Sequence, residues 1–140
     1  MDMKLEVVVV PVSDVDRAKH FYEQLGWRLD IDFDGGPSFR AIQFTPPGSA
    51  ASIHLGKGLT TLAPGTLRGV FLVVSDIEAA RADLVRRGVA VSEIFHQSLG
   101  SEPLPGRDPQ RTSYASFATF ADPDGNSYLL QEIRQRLPGR

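Results

Sequence analysis

PVSDVDRAKHFYEQLGWRLD, residues 11–30, and VVSDIEAARADLVRRGVAVS, residues 73–92, are two versions of one pattern. Ser13 and Asp14 correspond to Ser75 and Asp76, Val15 to Ile77, Ala18 to Ala80 and Gly26 to Gly88, all at one offset of 62. An offset that holds through strand end, cap, helix and terminating glycine marks an internal duplication. Each copy opens on an apolar run, LEVVVVPV or RGVFLVV, dense in the β-branched residues that suit a buried strand. Ser-Asp then stops the strand and offers an N-cap. Val15, Ala18, Phe21, Tyr22 and Leu25 follow at helical spacing, as do Ile77, Ala80, Leu84 and Val85 in the second copy. Gly26 and Gly88 serve as C-cap glycines.

Outward from the helices the pattern turns to strands. WRLDIDF, SFRAIQF and SAASIHLG complete the first copy, and VAVSEIFH, SYASFATF and NSYLLQEI the second. The last two are joined by ADPDG, whose Asp-Gly supplies a tight turn. The chain therefore reads as α+β, with two tandem βαβββ units over about 4–56 and 67–133 inside one domain spanning 1–140. The segment QSLGSEPLPGRDPQR is the one long loop, either a flap over a site or a plain connector. The tail RQRLPGR is expected to be polar and frayed.

Charge and composition narrow the partners. Fifteen basic residues against 17 acidic ones give a net charge of −2 without any like-charged block, so neither nucleic acid nor a membrane is an expected partner. The absence of cysteine removes disulfides, thiolate metal sites and thiol nucleophiles, and a cytoplasmic location is the simplest expectation. MDMKLEVVVVPVSD is apolar over too short a run to act as a secretory signal.

Paired βαβββ units, Ser-Asp before each helix, HFYEQLGWRL closing the first helix and DPDGN before the last strand together resemble the vicinal oxygen chelate superfamily. Its members include glyoxalase, extradiol dioxygenases, fosfomycin-resistance enzymes and bleomycin-binding proteins, and the resemblance runs from about Leu5 to Ile133. It implies curved mixed sheets around a cleft, a homodimer, and a divalent metal held by residues on the first and last strands of each unit. The implied ligand positions fall on Val7, on Gly69 or its neighbour Val70, on Leu129, and on either Ser52 or His54. Val, Gly and Leu side chains carry no donor atom, so no metal and no cofactor is expected.

Strand residues two apart share a face, which pairs Ser52 with His54 and Leu129 with Gln131. If the ligand-equivalent positions face the cleft, Val7, Val9, His54, Phe71, Val73 and Gln131 line an apolar pocket with few polar anchors. Val9, Arg40, Ser52, His54, Phe71, His96 and Gln131 are thus the candidate ligand-binding residues. Trp27 is a further candidate for stacking. Plainer readings stand beside these: His54 as a half-exposed strand residue, His96 as a surface residue, Arg40 paired with a surface acid, Trp27 packed between helix and sheet. The expected function is metal-independent binding of a small, largely apolar or aromatic organic ligand by a homodimer. The alternative is a lyase, isomerase or dioxygenase that uses His54 or a displaced metal site.

Overall fold

The computed structural model, which describes residues 1–140, places nine strands and two helices in two mixed sheets that do not close. The chain divides into two units, Met1–Leu67 with Asp122–Asn126, and Arg68–Ala121 with Ser127–Arg140.

In the first unit, β1 (Val7–Val9) leads to α1 (Val15–Gln24), followed by β2 (Arg28–Asp34), β3 (Arg40–Thr45) and β4 (Ser52–Lys57). The sheet order is β1-β4-β3-β2, with β1 parallel to β4 and the other pairs antiparallel. The helix starts at Asp14, whose Oδ1 accepts the Arg17 N–H at 3.0 Å. Val15, Ala18 and Tyr22 form its buried stripe. That stripe supplies one side of a core completed by Ile42, Phe44, Ile53 and Leu55. Each of these large side chains contributes about 1.5–3 kcal/mol by leaving water. Trp27 belongs to this core, with its ring 5.4 Å from that of Tyr22.

The turn Asp122–Asn126 completes the first unit although both strands flanking it belong to the second. Tyr22 donates its hydroxyl to Asp122 Oδ2 at 2.9 Å, and Asn126 Nδ2 donates to the Pro11 carbonyl at 2.8 Å. Gly65 approaches this turn at φ +79°, where a Cβ would lie 2.0 Å from the Asp124 carbonyl oxygen. Only glycine fits both the backbone angle and the approach.

In the second unit, β5 (Val70–Val74) leads to α2 (Ile77–Arg86), then β6 (Phe95–His96), β7 (Leu104–Pro105), β8 (Ser116–Ala121) and β9 (Ser127–Glu132). The order is β5-β9-β8-β6-β7, with β5 parallel to β9. Asp76 caps α2 through the Ala79 N–H. Ile77 and Leu84 are buried on the helix, and Ala118, Phe120, Tyr128 and Leu130 on the sheet. Glu132 is fully buried among them. Burial alone would raise its pKa, but Arg111 at 3.0 Å and the Ile77 N–H at 2.9 Å outweigh that and hold it below the usual carboxylate range.

Three stretches depart from the expected pattern. The strand expected over VAVSEIFH shrinks to Phe95–His96, with Val91 in a lone bridge to Phe120, because Arg81 on α2 takes the Ser92 carbonyl at 2.7 Å. The long loop contributes a strand of its own, β7, paired to β6. The tail is tied down rather than frayed: Ser113 Oγ accepts the Arg134 and Gln135 N–H groups, and Tyr114 Oη accepts that of Leu137.

Candidate functional site

Each sheet has one face against its helix and one face left open, and the candidate residues sort by strand alternation. On the open face of the second sheet, Phe95, Phe117, Gln131 and Val73 are directly opposed across four strands. Phe71 and Leu129 form the next row. The Phe95 and Phe117 rings stack with centroids 5.5 Å apart and planes at 27°. Loop residues 97–100 and 112–115 and the tail residue Leu137 rise around these rows, enclosing a pocket of about 680 Å³. Its size and apolar walls suit a small organic molecule.

Polar groups in the pocket are few and fixed. Gln131 Nε2 donates to the Tyr114 carbonyl at 3.1 Å, which leaves the Gln131 amide oxygen as an acceptor without a protein partner. Tyr114 sits at φ +74°, a region unfavourable for a bulky residue. It is held there by its N–H on the Glu132 carbonyl and its hydroxyl on the Leu137 N–H. The adjoining Arg111 is also left-handed, at φ +52°, and is anchored by its pair with buried Glu132. Glu132 therefore anchors the loop wall twice, its backbone carbonyl holding Tyr114 and its buried carboxylate holding Arg111 while also accepting the Ile77 N–H.

The open face of the first sheet carries a different chemistry. His54 lies between Val9 on one neighbouring strand and Gln43 on the other. A β-bulge between Leu29 and Ile31 turns Asp30 onto this face. His54 Nε2 lies 2.8 Å from Gln43 Oε1, and Gln43 Nε2 donates to Asp30 Oδ2 at 2.9 Å. Because the Asp30 carboxylate only accepts, it orients the Gln43 amide so that His54 Nε2 must be the donor; in the neutral imidazole the lone pair is then on Nδ1. Thr45 Oγ1 also donates to Asp30 at 2.5 Å, and Ser52 Oγ lies 2.7 Å from Thr45 Oγ1. The hydroxyl of Thr45, then the Arg28 and Gln43 contacts, hold the Asp30 pKa down at about 2.

The candidate residues thus fall into separate groups. Phe71 and Gln131 line the pocket of the second unit, while Val9, Ser52 and His54 share the open face of the first. Arg40 is spent elsewhere, with its guanidinium on Asp32 through two nitrogens and on Asp16 at 2.7 Å. His96 alternates with Phe95 to the other face, and its Nδ1 lies 2.8 Å from the Gly106 carbonyl oxygen. Phe95, Phe117 and Tyr114 were not among the candidates. The alternation of IFH and SFATF carries a signal for the two phenylalanines, whereas nothing in the sequence marks the backbone angle of Tyr114.

The residues at the metal positions do not fit a metal. Val7 lies in register with Ser52, and Leu129 with Phe71 rather than Gly69, so neither pair offers more than one hydroxyl. No three His, Cys, Asp or Glu side chains converge anywhere in the chain.

Residues 4–128 match the family model described as the Glyoxalase/Bleomycin resistance protein/Dioxygenase superfamily. Among solved structures, the chain is 34% identical to TnmS3, an antibiotic binding protein from Streptomyces sp. CB03234, covering 94% of this chain and 97% of that one at a TM-score of 0.72. A glyoxalase/bleomycin resistance protein from the same organism is 35% identical over 92% of this chain and 100% of that one, at 0.68. A superfamily member from Sphaerobacter thermophilus DSM 20745 is 28% identical over 94% and 98%, also at 0.68. No curated protein matches.

Proposed function

Because the chain belongs to the Glyoxalase/Bleomycin resistance protein/Dioxygenase superfamily, we infer that it binds a small, largely aromatic organic molecule and holds it without a catalytic metal. The pocket of the second unit carries this reading. Its floor is a stacked phenylalanine pair flanked by Phe71 and Leu129, with Gln131 as the polar anchor. An aromatic body on such a floor gains its area burial plus about 0.5–1.5 kcal/mol for a well-placed ring pair. That Leu129 stands where a ligating carboxylate would be fits a site built for burial. The likeness to an antibiotic-binding protein at 34% identity supports the binding of a small organic molecule. A cytoplasmic homodimer is the form we assign to it; neither helix is long and apolar enough to cross a membrane.

A thermal-shift screen of aromatic compounds, followed by calorimetry, tests the reading. A hit should raise the melting temperature of the parent protein, and Phe117→Ala should weaken its binding by about tenfold or more, the loss of one buried ring contact. A hit whose affinity is unchanged in Phe117→Ala and Phe71→Ala would place the ligand elsewhere. Elemental analysis of the purified protein should find no stoichiometric transition metal. One tightly bound equivalent would overturn metal independence.

One observation favours a second reading, an enzyme using His54 as acid or base: the Asp30–Gln43–His54 chain fixes a tautomer with Nδ1 open. If that reading holds, His54→Ala lowers turnover of an identified substrate by about a hundredfold with affinity little changed. Binding alone predicts no turnover to lose.

A further inference from the structure

The apolar pocket does not end at its own rim. Thr112, Ser113, Tyr114 and Leu137 line it on one side and on the other line an open basin of about 720 Å³, whose remaining walls include Arg111, Arg134 and Arg136. No Asp or Glu lines this basin. Arg111 is neutralised by Glu132, but Arg134 and Arg136 take part in no ion pair. In a chain of net charge −2, two unpaired guanidiniums beside an apolar pocket are a local reversal of sign.

The hydroxyls on the shared ridge have the same bias. Ser113 Oγ accepts two backbone N–H groups, from Arg134 and Gln135, each at 2.9 Å. A hydroxyl has two lone pairs and one proton, so only its capacity to donate is left. Tyr114 Oη accepts the Leu137 N–H at 3.0 Å and keeps its own proton to give. The ridge and basin therefore present O–H and guanidinium donors and no charged acceptor. A neutral aromatic molecule would use the pocket and leave those donors to water. An acid would use both.

We propose that the ligand is an aromatic acid, with its ring system on Phe95 and Phe117 and its anionic group on the ledge formed by Ser113, Tyr114, Arg134 and Arg136. This rests on the pocket reading above and adds the charge of the ligand to it. The tail then becomes part of the site: Leu137 closes the pocket, and Arg134 and Arg136 select the acid. Guanidiniums bind carboxylate or sulfonate through planar paired donors, and at an exposed ledge that attraction is screened by salt.

Two fluorescent probes separate the contributions: anilinonaphthalene sulfonate and phenylnaphthylamine, which share one aromatic body and differ by the acid group. Titrated into the full-length protein at low salt, the sulfonate should bind about tenfold more tightly, one charge-assisted hydrogen bond's worth. Added salt should narrow the gap. In the double variant Arg134→Gln, Arg136→Gln the sulfonate should fall to the level of the neutral probe, whose own affinity stays unchanged. The lysine double variant should keep most of the preference. Because both arginine side chains are exposed and unpaired, the double variants should melt as the parent does. Equal binding of the two probes by the parent, or a preference that survives the glutamine variant, overturns the proposal and leaves the pocket intact. Failure of the neutral probe to bind, with sulfonate binding indifferent to Phe117→Ala, removes the pocket reading itself and this inference with it.

Discussion

Asp30 receives Thr45 Oγ1, Arg28 Nε and Gln43 Nε2 on one half-buried carboxylate, and these hold its pKa at about 2. A carboxyl depressed on folding stabilises the native state wherever the unfolded chain's group, near 3.9, would be ionised. That contribution is complete above about pH 5 and disappears as pH falls through 3.9 toward 2. Asp30→Asn should therefore be less stable than the parent at neutral pH, with the two denaturation midpoints converging by about pH 2. A gap that stays constant across this range would mean that the carboxylate's charge is not what the network uses. Reading RLDIDFD as a plain alternating strand puts Asp30 and Asp32 together in water. The bulge separates them: Asp32 pairs with Lys19 and Arg40 on the helix side, and Asp30 joins Gln43 and His54 on the open face. A one-residue insertion is decided by the partner strand, and alternation within a single strand does not carry it.

At the scale of elements, local signals succeeded where an element satisfies itself. Both helices were legible from Ser-Asp, the apolar spacing and the glycine after each, because caps and stripes are matters of three to four residues. VAVSEIFH failed because a distant side chain, that of Arg81, takes a carbonyl that a ladder would otherwise use. DPDGN is legible as a turn, yet its larger role depends on residues far away in the chain. Asn126 is fully buried, with Nδ2 donating to Pro11 O and Asp122 Oδ2, and Oδ1 accepting the Leu67 N–H. Asn126→Ala strips partners from buried groups, and at about 1–3 kcal/mol for each one left unsatisfied, a loss of roughly 2–4 kcal/mol is expected. Equilibrium urea unfolding measures it. A loss under about 0.5 kcal/mol, typical of an unconstrained surface change, would show that water replaces those contacts freely.

For the whole molecule, the open sheet faces leave several large apolar side chains exposed to water. Ile31 and Phe33 on the first sheet are 53% and 56% exposed, and Phe71 and Val73 on the second are 53% and 45% exposed. Scattered apolar residues are ordinary on a surface, but rows on open sheet faces are a different matter. Phe33 also packs its ring against Phe39, 6.1 Å away, which widens the patch on the first unit. Ligand burial accounts for Phe71 and not for Ile31 or Phe33, which lie in the other unit. A second copy of the chain is the cover we expect for them, since two-fold pairing joins like patches without creating an open-ended array. Light scattering should then report twice the 15.3 kDa chain mass at micromolar concentration. Phe33→Asp puts an unpaired charge in the middle of that contact and should shift the population toward monomer, while far-UV circular dichroism stays that of the parent because the side chain adds little to its own unit's core. A parent protein that remains at 15.3 kDa across the micromolar range would refute the pairing, and the exposed rows would then have to be read as a second ligand-facing surface.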